Sequence, residues 1–172
     1  MRYVALLRGI NVGGRTIKMD ALRACFDEMK FDDVATVLQT GNVLFSSDNH
    51  PGSIKEEIAT GLQRMFEYPA RVLVYDLARL QRIAAATPFG VRDPAMQSYV
   101  VFFDNGLEKQ LMAEATDLDD QLERIQVGDG VLYWRVPKGR TLQSGFASYL
   151  TKARYKNFHT NRNINTIRKI IG

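Results

Sequence analysis

The order in which strand-like and helix-like segments follow one another is the feature that most restricts the fold of this chain. Short runs rich in apolar and β-branched residues predict strands, and longer runs with apolar side chains at three- and four-residue spacing predict amphipathic helices. In the first 76 residues these segments follow the order βαββαβ. They are a strand at 3–7, a helix at 19–30, a hairpin of strands 34–39 and 42–46, a helix opened by Pro51, and a strand at 71–75.

The same order largely repeats in the rest of the chain, after a connecting helix at 77–86. The later segments are a strand at 98–103, a helix at 107–115, a hairpin of strands 123–127 and 131–136, and helices near 144–153 and 164–171 separated by a polar stretch. The predicted fold class is α+β, with duplicated ferredoxin-like βαββαβ-type units, the second of them incomplete, and extra C-terminal helices. We expect a first ferredoxin-like subdomain at residues 1–76 and a second, with the basic C-terminal helices, at residues 77–172.

This order of elements predicts which loops meet. In a βαββαβ sheet the first and second strands run in the same direction, because a helix crosses between them. The loop after the first strand and the turn after the second therefore leave the sheet at the same end. We expect residues 8–14 to lie next to residues 39–42.

The charge is divided unevenly along the chain. All 19 acidic residues lie before residue 130, whereas the 43 residues from 130 to 172 contain nine of the 23 Lys and Arg residues. This last quarter is expected to attract anions, with a merely solvated basic face as the alternative. The single cysteine excludes an internal disulfide and a cysteine-rich zinc site. Since no window is apolar enough for a signal-peptide core or a membrane span, we expect a cytoplasmic protein.

The loop after the first strand is rich in glycine. From Gly9 to Thr16 it has the spacing of a phosphate-binding P-loop, with Arg15 in place of the lysine. Two features oppose a true P-loop: Ile17-Lys18 separate the loop from the predicted helix, and the predicted sheet is rich in antiparallel pairs. Two other interpretations stay open. The glycines either supply positive φ angles in an ordinary connection or form a backbone nest for an anion.

Three longer segments carry a resemblance to a known family. Residues 4–14 read VALLRGINVGG, residues 38–45 read LQTGNVLF, and residues 160–169 read TNRNINTIRK. Together they resemble the bacterial family called domain of unknown function 1697, over nearly the whole chain. The last segment departs from the family pattern, because Ile164 stands where tryptophan is common. The resemblance implies a cytoplasmic α+β protein of this size and no established activity.

Polar residues in these segments form the candidate binding site. Amide and guanidinium groups orient ligands by hydrogen bonds but do not exchange protons near neutral pH, so the pattern indicates recognition and assigns no catalytic residue. We expect the N-terminus of the last helix, near residues 160–163, to dock against the two N-terminal loops. The alternative is a purely structural set of turn formers and caps. The candidate ligand-binding residues are Arg8, Asn11, Gly13, Gly14, Gln39, Asn42, Arg162, Asn163 and Asn165.

The expected partner is an anionic ligand, either nucleic acid or a phosphorylated small molecule, and no cofactor is assigned. Six aromatic residues interleave the basic C-terminal segment, as in grooves that bind single-stranded nucleic acid. However, the strand and helix spacing of Tyr133, Trp134, Phe146 and Tyr149 predicts that most of these rings are buried. In the binding hypothesis, Arg8 and Arg162 contact phosphate, and the amides of Asn11, Gln39, Asn42 and Asn163 orient the ligand.

Two other functions stay open. The first is a small-molecule enzyme in which Asp76 or Asp104, each at the end of an apolar strand, serves as acid, base or magnesium ligand. The second is a protein-interaction module whose basic surface docks an acidic partner. Neither His50 nor His159 has a neighbour at metal-ligand spacing, so we expect no metal site.

Overall fold

The computed structural model describes residues 1–11, 14, 16–39, 41–89, 93–104 and 106–172. They form two compact units. Unit 1 comprises residues 1–81 and 169–172, and unit 2 comprises residues 82–168. Each contains a four-stranded antiparallel sheet, and the described residues include six α-helices. The α+β class is therefore confirmed, while the division at residues 76 and 77 into two subdomains stays a prediction.

Unit 1 follows the predicted order of elements. They are β1 (Arg2–Arg8), α1 (Met19–Glu28), β2 (Asp32–Val37), β3 (Asn42–Ser46), α2 (Pro51–Phe66) and β4 (Arg71–Asp76). The strands are arranged in the order β2-β3-β1-β4. Since β1 and β2 both pair antiparallel with β3, they run in the same direction, as predicted. The C-terminal ends of β1 and β2 therefore lie at the same end of the sheet.

One face of this sheet is covered by α1 and α2. Tyr3, Ala5 and Leu7 of β1 share a core cluster with the buried faces of both helices, and that cluster also includes Cys25. The alternation of side chains along a strand places Val4, Leu6 and Arg8 on the opposite face. Cys25 is buried at 2% exposure, so its thiol is a packed core group.

A helix connects the two sheets in sequence, and unit 2 follows with an equivalent order. The elements after β4 are α3 (Leu77–Ala85), β5 (Met96–Phe103), α4 (Leu107–Glu114), β6 (Arg124–Val127), β7 (Val131–Pro137), α5 (Gly145–Leu150), β8 (His159–Asn163) and α6 (Ile164–Ile171). The helices α3 and α6 each have residues in both units. The strand order is β6-β7-β5-β8. Its core cluster lies under α4 and α5 and contains Val101, Leu132, Trp134 and Phe146.

The last strand, β8, corrects two expectations. The second unit was expected to be incomplete, and residues 160–163 were expected to open the last helix. Instead His159–Asn163 pair antiparallel with β5, from Tyr99↔Asn163 to Phe103↔His159, and α6 begins only at Ile164. The sequence pattern failed because all five residues of β8 are polar. The strand is held by its ladder to β5 and has no apolar period of its own.

No helix within the described part of the chain is both long enough and apolar enough to cross a membrane.

Candidate anion-binding site

The candidate site lies at the end of β1, where Arg8 is the last residue of the strand. Leu7 points into the unit 1 core, so Arg8 projects from the other face of the sheet, on the same side as Leu6. Its side chain is half-buried. A cationic side chain at this depth needs a counter-charge or hydrogen-bond acceptors to offset its lost hydration.

Arg71 is the direct neighbour of Arg8 across the sheet. The β1–β4 ladder pairs Arg8 with Arg71 and Leu6 with Leu73, so both guanidinium groups extend from one face. Arg71 is exposed, whereas Arg8 is half-buried. Like charges directly opposite each other in a sheet destabilise it unless an anion lies between or beside them.

The electrostatics of Arg8 show this repulsion. Burial lowers the pKa of Arg8 below its ordinary value, the charge of Arg71 lowers it further, and Tyr68 opposes the shift. Arg8 Nη1 exposes less than 1 Å² and has no hydrogen-bond partner among the residues that the structure describes. Most buried donors in folded proteins have a partner, so an orphaned donor on a cation points to an anion or to water.

The two loops predicted to meet at this end of the sheet do so. The backbone N–H of Leu7 donates to the carbonyl of Gly41 at 2.8 Å. A Cβ at Gly41 would lie 2.7 Å from Ile10 Cγ2 and 3.0 Å from Leu7 Cβ. The turn after β2 therefore packs directly on the start of the loop that follows Arg8.

Asn11 closes the loop that follows β1. It adopts a left-handed conformation at φ 57°, and its Oδ1 accepts a hydrogen bond from the N–H of Ile17 at 2.6 Å. The carbonyl oxygen of this side chain is thus used within the loop. Gly14 is also left-handed, at φ 81°. The other predicted loop residue, Gly13, lies outside the described residues, as do Val12 and Arg15 of the P-loop-like segment.

Gln39 and Asn42 lie on the neighbouring turn and differ in exposure. Gln39 is exposed. Asn42 is fully buried at 0% exposure, and its Nδ2 donates to the carbonyl of Val37 at 3.0 Å, across the β2–β3 hairpin. Gln39 can therefore reach a solvent-borne ligand, whereas the Asn42 amide helps to hold the turn together.

The other predicted site residues belong to unit 2. Arg162 is buried at 9% exposure, and its Nη1 donates to Thr160 Oγ1 at 2.8 Å and to the Asn161 carbonyl at 2.9 Å. Asn163 Oδ1 accepts from the N–H of Asn165 at 2.9 Å, so Asn163 caps α6. Asn163 and Asn165 also line a small polar cavity of about 100 Å³. Whether these residues share a site with Arg8 stays a prediction.

The aspartates considered for an enzymatic role lie at strand ends, Asp76 as the last residue of β4 and Asp104 directly after β5. Asp76 Oδ1 accepts from the N–H of Arg79 at 2.7 Å and so starts α3, which is the ordinary structural use of such a residue. The N–H of Asp104 donates to the carbonyl of Phe158 at 2.8 Å. Within the described ranges, no group of three or more His, Cys, Asp or Glu side chains is arranged to hold a metal ion.

Most aromatic rings of the basic segment are buried, as predicted. Tyr133, Trp134, Phe146 and Tyr155 are each exposed by 2% or less. Such rings are not available to stack on bases. Phe158 is exposed, at 39%, so its ring is accessible to solvent.

The sequence pattern did not identify Arg71 as a site residue. It lies 63 positions after Arg8 and adjoins no recognisable motif. The signal that reveals it is the register between β1 and β4, because this register places the two arginines opposite each other. Register between strands far apart in sequence follows from packing and turn geometry and not from a local pattern.

Comparison with known proteins gives a family and a structural relative. A family model described as a protein of unknown function (DUF1697) matches residues 1–133. The solved structure of a conserved bacterial protein from Streptococcus pneumoniae is similar, with a TM-score of 0.82 and 25% identity. The match covers 99% of this chain and 96% of that one. No curated protein matches the chain.

Proposed function

Because the chain belongs to the DUF1697 family, whose description assigns no activity, we propose from the geometry of the site that it binds a phosphate-bearing ligand at the end of β1 through Arg8. The observation that carries this proposal is the buried Nη1 of Arg8, which lacks a hydrogen-bond partner among the described residues. An anionic oxygen would accept from this donor and reduce the repulsion between Arg8 and Arg71.

The shape of the surrounding backbone supports a phosphate. Gly9 and Asn11 both have positive φ, at 71° and 57°, directly after Arg8. Left-handed residues in such loops turn backbone N–H groups toward one side, where they form an anion-binding concavity. The planar guanidinium fork of Arg8 suits bidentate contact with phosphate oxygens. Gln39, which is exposed on the adjacent turn, would orient the rest of the ligand.

A phosphorylated small molecule is favoured over nucleic acid. Sequence-independent binding of single strands uses exposed aromatic rings as stacking platforms. In this chain Trp134, Phe146 and Tyr155 are core residues instead. Contact between the basic C-terminal segment and nucleic-acid phosphates would make oligonucleotide binding decrease steeply with salt, which distinguishes this case.

Calorimetric titration of the protein with inorganic phosphate, pyrophosphate and a single-stranded oligonucleotide tests the proposal. We expect saturable binding of phosphate or pyrophosphate, weakened about tenfold or more by Arg8→Gln, because hydrogen bonds to charged groups contribute about 1.5–3 kcal/mol each. Arg8→Lys should also weaken binding, since an ammonium lacks the guanidinium fork.

Arg64→Gln provides the matched control. Arg64 lies on α2 of the same unit, its side chain is 71% exposed, and the substitution removes the same charge. It should leave phosphate affinity unchanged. Equal losses in Arg8→Gln and Arg64→Gln, or no binding of either phosphate, would contradict the proposed site. Binding restricted to the oligonucleotide, with a steep decrease in salt, would replace it with the nucleic-acid function.

Two broader assignments belong to the same proposal. The first is that both units are ferredoxin-like and related by duplication, which is supported by the equivalent strand orders β2-β3-β1-β4 and β6-β7-β5-β8. The second is a cytoplasmic location, supported by the single free cysteine buried in the unit 1 core.

A further inference from the structure

Unit 2 contains a cavity of about 460 Å³ that the proposed phosphate site does not use. The segment of residues 117–123, the end of β7 and the residues just before and at the start of α5 line it. Its volume falls within the range of about 300–1,000 Å³ that is usual for small-molecule sites. No sequence motif indicated this cavity, because its lining residues come from two separate stretches of the chain, 117–123 and 136–145.

One wall of the cavity is held rigidly by Glu123. This carboxylate is buried at 3% exposure, and its Oε2 accepts from Trp134 Nε1 at 3.0 Å. Its Oε1 accepts from the N–H of Phe146, also at 3.0 Å. Both oxygens are therefore occupied within the fold. Such a wall is formed before any ligand arrives, which lowers the entropic cost of binding.

Part of the cavity lining is apolar. Leu118, Leu122, Val136 and Pro137 all line it. Leu122 is 57% exposed, which is unusual for a large aliphatic side chain and leaves apolar surface for a ligand to cover. The occupant should therefore carry an apolar body.

The charged residues of the lining are mostly acidic. Three carboxylates, those of Asp117, Asp119 and Glu123, accompany the single guanidinium of Arg140. The hydroxyl of Tyr149 donates to Asp117 Oδ1 and lowers the pKa of that carboxyl, so Asp117 remains charged into the acidic range. Glu123 is already paired with two donors, which leaves Asp117 and Asp119 as the carboxylates at the mouth.

We propose that this cavity binds a small amphipathic cation, an organic amine whose aliphatic body packs on Leu118 and Leu122 while its ammonium group faces Asp117 and Asp119. The charge complementarity selects the cation, and the apolar walls select an aliphatic body over an inorganic ion. The site is separate from the phosphate site in unit 1, so either proposal can fail without the other.

The test compares three probes of equal length: n-hexylammonium, hexan-1-ol and hexanoate. Binding is followed by amide chemical shifts of residues 117–123 and by the fluorescence of Trp134, the only tryptophan, which bonds to the cavity residue Glu123. We expect saturable shifts with n-hexylammonium, at least about tenfold weaker binding of hexan-1-ol, and no binding of hexanoate.

Neighbouring aspartates provide the matched variants. Asp119→Asn keeps the Oδ1 acceptor that receives the N–H of Gln121 at 3.0 Å but removes the charge. It should weaken n-hexylammonium binding about tenfold. Asp120→Asn makes the same change at an exposed residue outside the lining and should leave the affinity unchanged. Equal effects of the two variants, equal affinity for hexan-1-ol, or the absence of saturable n-hexylammonium binding would each overturn the proposal.

Discussion

Arg8 lies directly opposite Arg71 in the β1–β4 ladder, so two guanidinium groups extend from the same face of the unit 1 sheet. Burial and the charge of Arg71 together lower the pKa of Arg8. A lowered folded-state pKa of a basic group means that its charged form favours the unfolded chain. At neutral pH, below both pKa values, this destabilisation is fully present.

Arg8→Met should therefore raise the free energy of unfolding by about 1 kcal/mol, because it keeps an aliphatic chain and removes an orphaned buried donor. Urea denaturation followed by circular dichroism measures the change. Arg64→Met, at an exposed position, serves as control and should stay within about 0.5 kcal/mol of the wild type. A destabilised Arg8→Met would indicate that the guanidinium makes favourable contacts within the fold.

Gly41→Ala should destabilise the protein by about 2–3 kcal/mol, since the new Cβ meets Ile10 and Leu7 and the residue has a φ of 74°. Gly139→Ala measures the backbone strain alone: Gly139 has a φ of 82°, but nothing lies within 4 Å of the added Cβ. It should cost only about 1 kcal/mol. Chemical denaturation of both variants measures the difference, and similar losses would show that the close packing of the two loops contributes little.

Glu123→Ala should lower the free energy of unfolding by about 3 kcal/mol. It leaves the buried Trp134 Nε1 and the N–H of Phe146 without their acceptor. Glu123→Gln keeps one acceptor oxygen and should cost less. Denaturation followed by Trp134 fluorescence reports both. Adding Trp134→Phe to Glu123→Ala removes one orphaned donor, so the double variant should lose less than the sum of the single changes.

Tyr149→Phe should raise the pKa of Asp117 toward its ordinary value, because the hydrogen bond from Tyr149 is the main cause of the lowered pKa. A carboxyl with a lowered folded-state pKa stabilises the fold above its unfolded pKa, and this contribution is lost as the pH falls through the folded value. The variant should therefore show a weaker loss of stability in acid. Carboxyl NMR titration measures the pKa. An unchanged pKa of Asp117 in the variant would show that the Tyr149 hydrogen bond is not what lowers it.

Local patterns predicted most of the secondary structure. β3 and α6 have the predicted bounds, Asn42–Ser46 and Ile164–Ile171. β3 is a short run of β-branched and aromatic residues, and the isoleucines of α6 recur at helical spacing. β8 was not predicted, because it contains no apolar residue. Its alternation of buried Thr160 and Arg162 with half-buried neighbours is carried by polar side chains, and a hydrophobicity pattern does not detect it.

The meeting of the two loops beside Arg8 was predicted from the sequence. The order of elements was enough to bring the loop after Arg8 beside the turn at Gly41, since a crossover helix sets the directions of β1 and β2. The burial of Asn42 and the use of Asn11 Oδ1 within its own loop were not predictable, because side-chain partners depend on the folded positions of both loops.

By itself, the sequence determined the order of elements in unit 1, the separation of acidic and basic residues, and the burial of Trp134 and Phe146, because periodicity and composition act over a few neighbouring residues. Only the tertiary structure decided that Arg71 faces Arg8 and that residues 117–123 and 136–145 together line a cavity beside Glu123. Strand register and cavity walls join residues far apart in the chain. They result from the packing of many side chains at once, which no local pattern records.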